Sequence, residues 1–250
     1  KWIPQMIDSK EICETCVKKN ERKYEVIVLC PNKKGIENAI SSGAEVISVV
    51  ISVSEAHNKA NVNRTVEESF KELEEMVYKY PNMKFRLDLA TVFGCPFGEE
   101  IKPERVSELI EKAKKIGVKE IMLADTVGLG NPVLVEKILK QVKEQVGTEN
   151  IILHIHDTRG MGLANMLVAL QLGYSIFETS IGGLGGCPFA PGAAGNVATE
   201  DFVNMLNGMG INHNIHLEKL YHTLDLIDQY VDVNLNNSHM YSVHKSKCSL

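Results

Sequence analysis

Apolar positions along this chain fall into short β-branched runs separated by longer stretches in which they recur every three or four residues. The runs predict strands at 24–30, 45–51, 84–92, 119–123, 151–155 and 175–181. The stretches between them predict helices at 37–42, 65–80, 103–116, 132–146 and 160–172. Pro103 and Pro132 stand at the starts of two of these helices, where a missing backbone N–H costs nothing. Strand and helix alternating in units of roughly 30 residues predict a parallel sheet with right-handed crossovers. Past Asp201, helical patterns at 201–208 and 216–231 lead into a polar segment, 234–250, rich in Asn, Ser, His and Lys. This segment is expected to be a tail, mobile or packed on a partner, beyond a catalytic domain at 1–233.

Residues with chemical potential gather just after the predicted strands: Pro31-Asn32, Ser54-Glu55, Gly94-Cys95-Pro96, Asp125-Thr126, the segment 154–158 and the glycine-rich loop 182–196. In a TIM (β/α)₈ barrel these positions form the carboxyl face, where chemistry sits. A doubly wound sheet would instead show a GxGxxG turn after an early strand, and none is present. The barrel is therefore the expected α/β fold. About six of its eight units are visible, and the chain opens on Lys1-Trp2-Ile3-Pro4-Gln5 like the middle of a domain, so two further strands are expected upstream.

Composition narrows the function. The chain has 250 residues, a formal net charge of -5 and interspersed Lys and Glu, which excludes a general nucleic-acid footprint and favours small-molecule chemistry. No apolar run approaches the roughly 18 residues of a membrane span. The cysteines at 13, 16, 30, 95, 187 and 248 form no dense framework and read as thiols of a cytoplasmic protein. Cys13 and Cys16 make a CxxC without a second ligand pair nearby, so two small residues on an early helix are expected rather than a zinc site.

His154 and His156 are the strongest local signal. Spaced by two on a strand end, they direct both imidazoles to one side, as a pair of metal ligands requires. The remaining ligands of a hard ion such as Mg²⁺ or Mn²⁺ would be oxygens, and Asn196 offers an amide oxygen or serves as a turn residue. Cys187, between Gly186 and Pro188, suits neither helix nor strand; as a thiol it can act as nucleophile or proton donor. Asp125 either orients a histidine or the metal from behind, or makes an Asx turn. Asp157 fixes the histidine strand end or caps the next helix, and Arg159 meets an anion or is solvated. Arg86, Asp88 and Ala90 share one strand face, so Asp88 points a carboxylate into the barrel or pairs with Arg86.

The segments His154-Ile155-His156-Asp157-Thr158, Gly183-Leu184-Gly185-Gly186-Cys187-Pro188 and Gly195-Asn196-Val197-Ala198-Thr199-Glu200-Asp201 resemble the 3-hydroxy-3-methylglutaryl-CoA lyase family. The likeness extends to Gly94-Cys95-Pro96 and Ala124-Asp125-Thr126-Val127-Gly128 and spans nearly all of 1–230. It implies a TIM-barrel lyase, dependent on Mg²⁺ or Mn²⁺, that cleaves an acyl-CoA substrate to acetyl-CoA and acetoacetate. It further implies His154, His156 and Asn196 as metal ligands, and Cys187, His154 and Asp125 as catalytic residues. A homo-oligomer, a dimer in particular, is expected. The family's further Asp ligand and a glutamate would lie upstream. Asp88, Ala90 and Ala124 stand where the family is expected to carry Tyr, Ser and Gly, which opens a related lyase or synthase acting on another 3-hydroxy-acyl-CoA, or a non-catalytic homologue.

Overall fold

The computed structural model describes residues 6–19, 23–186, 195–235 and 237–248. Six strands, β1 (Ile27–Cys30), β2 (Val46–Ser52), β3 (Lys84–Ala90), β4 (Glu120–Asp125), β5 (Ile151–Ile155) and β6 (Ile176–Glu178), form one sheet in chain order. Every neighbouring pair is parallel. A doubly wound sheet would reverse its order at a switch point, and this one does not. The sheet is curled, with helices on its outer side.

Alternation along the strands divides the chemistry between two faces. Ile47, Val49 and Ile51 of β2, Leu87 and Leu89 of β3, Ile121 and Leu123 of β4, and Ile151, Leu153 and Ile155 of β5 are buried toward the helices. They pack with Phe70 and Leu73 of α4 (Val66–Lys79), Leu109 and Ile110 of α5 (Pro103–Lys115) and Ile138 and Leu139 of α6 (Pro132–Val146). Burial of each such side chain contributes about 1.5–3 kcal/mol. The intervening residues, among them Ser48, Val50, Arg86, Asp88, Ala90, Met122, Ala124, His154 and Glu178, line a cavity on the concave face.

All six predicted strands and the seven predicted helices are present, with shifted ends. The helix expected at 37–42 begins earlier, as α2 (Lys33–Ser41), because the Asn32 side chain accepts from Gly35 N at 2.9 Å and caps it. Early helix α1 (Ser9–Lys18) buries Cys13. Helix α3 (Glu55–Val62) was not predicted. It is short and polar, and is held by its ends: Ser54 caps the start, and Asn63 closes it at φ 56. The remaining helices are α7 (Gly162–Gln171), α8 (Thr199–Gly208), α9 (Leu217–Tyr230) and α10 (His239–Cys248).

Helix α10 differs from the polar tail, mobile or packed on a partner, that was expected at 234–250: it packs on its own chain. Leu235 and Tyr241 are buried with Tyr221 and Leu224 of α9, forming a second small core. Asp201 at the start of α8 accepts from the backbone N of His239 (3.0 Å) and Met240 (2.7 Å), so a buried carboxylate caps the helix. Ser238 Oγ adds a local cap by accepting from Tyr241 N at 3.1 Å, and a composition average over the segment hides these anchors. No helix among the described residues is long and apolar enough to cross a membrane.

Candidate metal and acyl-binding site

The concave face encloses a cavity of about 420 Å³, floored by Met122, Ala124 and Val50 and walled by Arg86, Asp88, Glu178 and the two histidines. Strand β5 delivers His154, and His156 follows one step past its end on the same face. Their Nε2 atoms lie 3.2 Å apart. Glu178, opposite His154 in the β5–β6 register, sets Oε2 at 3.2 Å from His154 Nδ1. An ionised carboxylate can only accept, so Nδ1 donates to it and Nε2 is the nitrogen that faces His156.

Asn196 reaches the histidines through backbone pairing rather than proximity in sequence. Residues 195–198 run beside the end of β5: Asp157 N donates to Gly195 O at 2.8 Å, Val197 N to Ile155 O at 3.2 Å, and His156 and Asn196 form an antiparallel bridge. Asn196 Nδ2 donates to Leu184 O at 2.8 Å, which turns Oδ1 the other way. That oxygen is buried with no hydrogen-bond partner among the described residues.

These three donors fit a hard divalent ion. Two ligands at about 2.1 Å on adjacent octahedral positions stand about 3 Å apart, close to the spacing of the two Nε2 atoms. The unpartnered Asn196 oxygen is the kind of group a buried site tolerates when a cation satisfies it. Burial, with the neighbouring His154, pushes His156 down to about 4, so its imidazole is neutral, as a ligand must be.

Arg86 spans the cavity wall from β3 toward β6. Its Nε donates to Asp88 Oδ1 at 2.8 Å and its Nη1 to Glu178 Oε1 at 3.1 Å. Asp88 also accepts from Ser48 Oγ. Burial pushes the Asp88 carboxyl above its ordinary value, against the pull of Arg86 and Ser48. Against the same push of burial, the His154 hydrogen bond and the Arg86 charge hold Glu178 below the usual carboxylate range. The sequence reading of Asp88 offered a carboxylate facing the cavity or a partner of Arg86; it is both.

Other expected residues take structural places. Asp125 is fully buried on the helix side of β4, where its oxygens accept from Leu129 N (2.9 Å) and Gly130 N (3.0 Å). The structure does not bring it to the histidines. Burial raises it to about 6 despite those bonds. Asp157 Oδ1 accepts from Gly162 N at 2.6 Å at the start of α7, and Arg159 donates to Val127 O and Gly128 O, tying two loops rather than meeting an anion. Cys95 is buried beside Ser54 Oγ. Cys187 lies outside the described residues.

Sequence reasoning missed Glu178 and Ser48. Each is a polar residue at an inward position of a short apolar strand, and that was the available signal. Thr91 was also missed. It follows β3 at φ 61, a region costly for a β-branched residue, is fully buried, and its backbone N donates to Thr126 Oγ1 at 2.7 Å.

An α/β enzyme whose site opens at the carboxyl ends of consecutive parallel strands is the class this fold and cavity define. The HMGL-like family model matches residues 1–227. Hydroxymethylglutaryl-CoA lyase YngG of Bacillus subtilis is 41% identical over 231 residues, covering 92% of this chain and 77% of that protein. The crystal structure of the Bacillus subtilis HMG-CoA lyase superposes with a TM-score of 0.91 at 39% identity, covering 98% of this chain and 82% of that one. An HMG-CoA lyase from Acinetobacter baumannii, solved in complex with coenzyme A and 3-methylmalate, gives 0.83 at 37% identity over 93% of this chain and 81% of that one. The chain belongs to the HMGL-like family, which includes these hydroxymethylglutaryl-CoA lyases.

Proposed function

We propose that this protein is a divalent-metal-dependent lyase that cleaves 3-hydroxy-3-methylglutaryl-CoA to acetyl-CoA and acetoacetate. The observation that carries the reading is the convergence of His154 Nε2, His156 Nε2 and the unpartnered Asn196 Oδ1 beside a cavity of acyl size, in a member of this family. We read the sheet as six consecutive strands of a TIM barrel, the donors as ligands of Mg²⁺ or Mn²⁺, and the active protein as a cytoplasmic homodimer.

Carbon–carbon cleavage takes a proton from the tertiary hydroxyl, breaks the adjacent bond to release acetoacetate, and returns a proton to the acetyl-CoA enolate. The divalent ion, when bound, lowers the hydroxyl pKa and holds the substrate's oxygens. His156 presents a neutral lone pair, and Glu178 orients the imidazole of His154 by accepting from its Nδ1. In this reading His154 takes part as an oriented ligand, since both of its ring nitrogens are engaged. Met122, Ala124 and Val50 offer an apolar floor to the branched acyl chain and keep water from it. Cys187 is the proton donor to the enolate. Asp125 acts at one remove, holding the 126–130 loop whose Thr126 lines the cavity.

The paired state of Asp88 bears on the alternative that another 3-hydroxy-acyl-CoA is the substrate. With Arg86 and Ser48 on its oxygens, Asp88 presents little free negative charge to an anionic acyl group. The test is acetoacetate formation from 3-hydroxy-3-methylglutaryl-CoA by the full-length protein, with and without Mg²⁺ or Mn²⁺, beside Cys187→Ala. Metal-dependent product that falls by orders of magnitude in the variant supports the reading. Metal binding without product moves the assay to a panel of acyl-CoA thioesters, and activity unchanged in Cys187→Ala removes the thiol from the mechanism.

A further inference from the structure

We infer that Asp88 is a positioning residue for His154, acting through Arg86 and Glu178 across the concave face; the inference rests on the metal reading of the histidines given above. The contacts form one chain. Ser48 Oγ donates to Asp88 Oδ2, Arg86 Nε and Nη2 reach Asp88 Oδ1 and Oδ2 at 2.8 and 3.4 Å, Arg86 Nη1 reaches Glu178 Oε1 at 3.1 Å, and Glu178 Oε2 meets His154 Nδ1 at 3.2 Å. Arg86 belongs to β3 and Glu178 to β6, so the guanidinium spans the concave face past β4 and β5.

The geometry gives Asp88 a specific task. A guanidinium is a rigid planar fork, so holding its Nε–Nη2 edge on Asp88 fixes where Nη1 points. Glu178 is then gripped by one oxygen alone, and its other oxygen stays with the imidazole. Without the Asp88 carboxylate, the fork is free to turn both of its edges toward Glu178 and draw Oε2 away from Nδ1. That rearrangement loosens the ligand without touching the ion.

The test is Mn²⁺ affinity of the full-length protein, read from the paramagnetic resonance of free Mn²⁺, with folding followed by thermal melting. Asp88→Asn is expected to weaken Mn²⁺ binding by about 10-fold or more, as loss of partners behind a ligand does elsewhere. Ser48→Ala, which removes one hydrogen bond and keeps the carboxylate, is expected to weaken it by a few-fold, and it carries the test should Asp88→Asn fail to fold. In a double-mutant cycle, Asp88→Asn added to Glu178→Gln is expected to cost nothing more than Glu178→Gln alone, because one pathway has already been cut. A merely structural role would lower the melting temperature and leave Mn²⁺ affinity in place. Folded variants with wild-type affinity, or effects of Asp88 and Glu178 that simply multiply, overturn the inference while the metal reading stands. A wild-type protein that fails to bind Mn²⁺ overturns both.

Discussion

Replacing Gly195 by alanine is a sharp test of how Asn196 is held. The added Cβ would sit 1.7 Å from the backbone oxygen of Gly185, where ordinary contact begins at 3.4 Å, a shortfall of 1.7 Å. The obstacle is backbone on the opposite strand of the loop base, and no side chain can rotate out of the way. The two arms must part by more than an ångström, and Asn196, the next residue, moves with one of them. Metal ligands tolerate displacements of about 0.2 Å, and misplacing a reacting group by about 1 Å can cost 10²-fold in rate. Gly195→Ala is therefore expected to lower kcat/KM for 3-hydroxy-3-methylglutaryl-CoA by about 10²-fold, or about 2.7 kcal/mol, and to weaken Mn²⁺ binding, with little change in melting temperature. Gly186→Ala is the control from the same loop: its Cβ meets no described atom within 4 Å, and activity is expected to stay near that of the wild type. Wild-type turnover and Mn²⁺ affinity in Gly195→Ala would refute the claim that this contact positions the ligand.

Three further outcomes are expected. The carboxyl of Asp125 is raised to about 6 in the fold, against an ordinary 3.8, so its contribution to stability is full below the ordinary value and is lost as pH rises through 6. Urea unfolding between pH 4 and 7.5 should show the wild type losing on the order of 3 kcal/mol relative to Asp125→Asn across that window, and parallel curves would dismiss the effect. Asp201→Ala removes the distant cap of α10 and is expected to cost about 1–2 kcal/mol, seen as a lower melting temperature and faster proteolysis near residues 237–248; unchanged melting would mean that the Ser238 cap and the apolar anchors hold α10 without it. Gly208→Ala, at the last residue of α8 with open space around its Cβ, is expected to stabilise by about 0.5–1 kcal/mol, and a lower melting temperature would contradict that.

The strands were legible because burial of alternate residues leaves a period of two, and helices α4 to α6 because their apolar stripes agree with their start signals, a capping residue or a proline at the first turn. Helix α3 was not, since its formation depends on Ser54 and the Glu99 carboxylate, which accepts from Glu55 N and Ala56 N across 43 and more residues of chain. Helix α10 depends in the same way on Asp201. In the site, the histidine pair follows from spacing alone, whereas the place of Asn196 comes from pairing of 195–198 with the end of β5. Asp125 is the instructive case. Met122 and Ala124 face inward, so the next residue must face the helices with Leu123; the parity was in the sequence, and the place of Asp125 just after a predicted strand end outweighed it.

That same parity separates two kinds of mutational risk. In a scan of every substitution along β2 to β5, tolerance for folding and tolerance for turnover should alternate residue by residue: changes at Leu87 or Leu89 lowering abundance, changes at Asp88 or Ala90 lowering activity at normal abundance. A lineage can then exchange inward residues and drift toward new substrates while the shell that keeps it folded stays as it was.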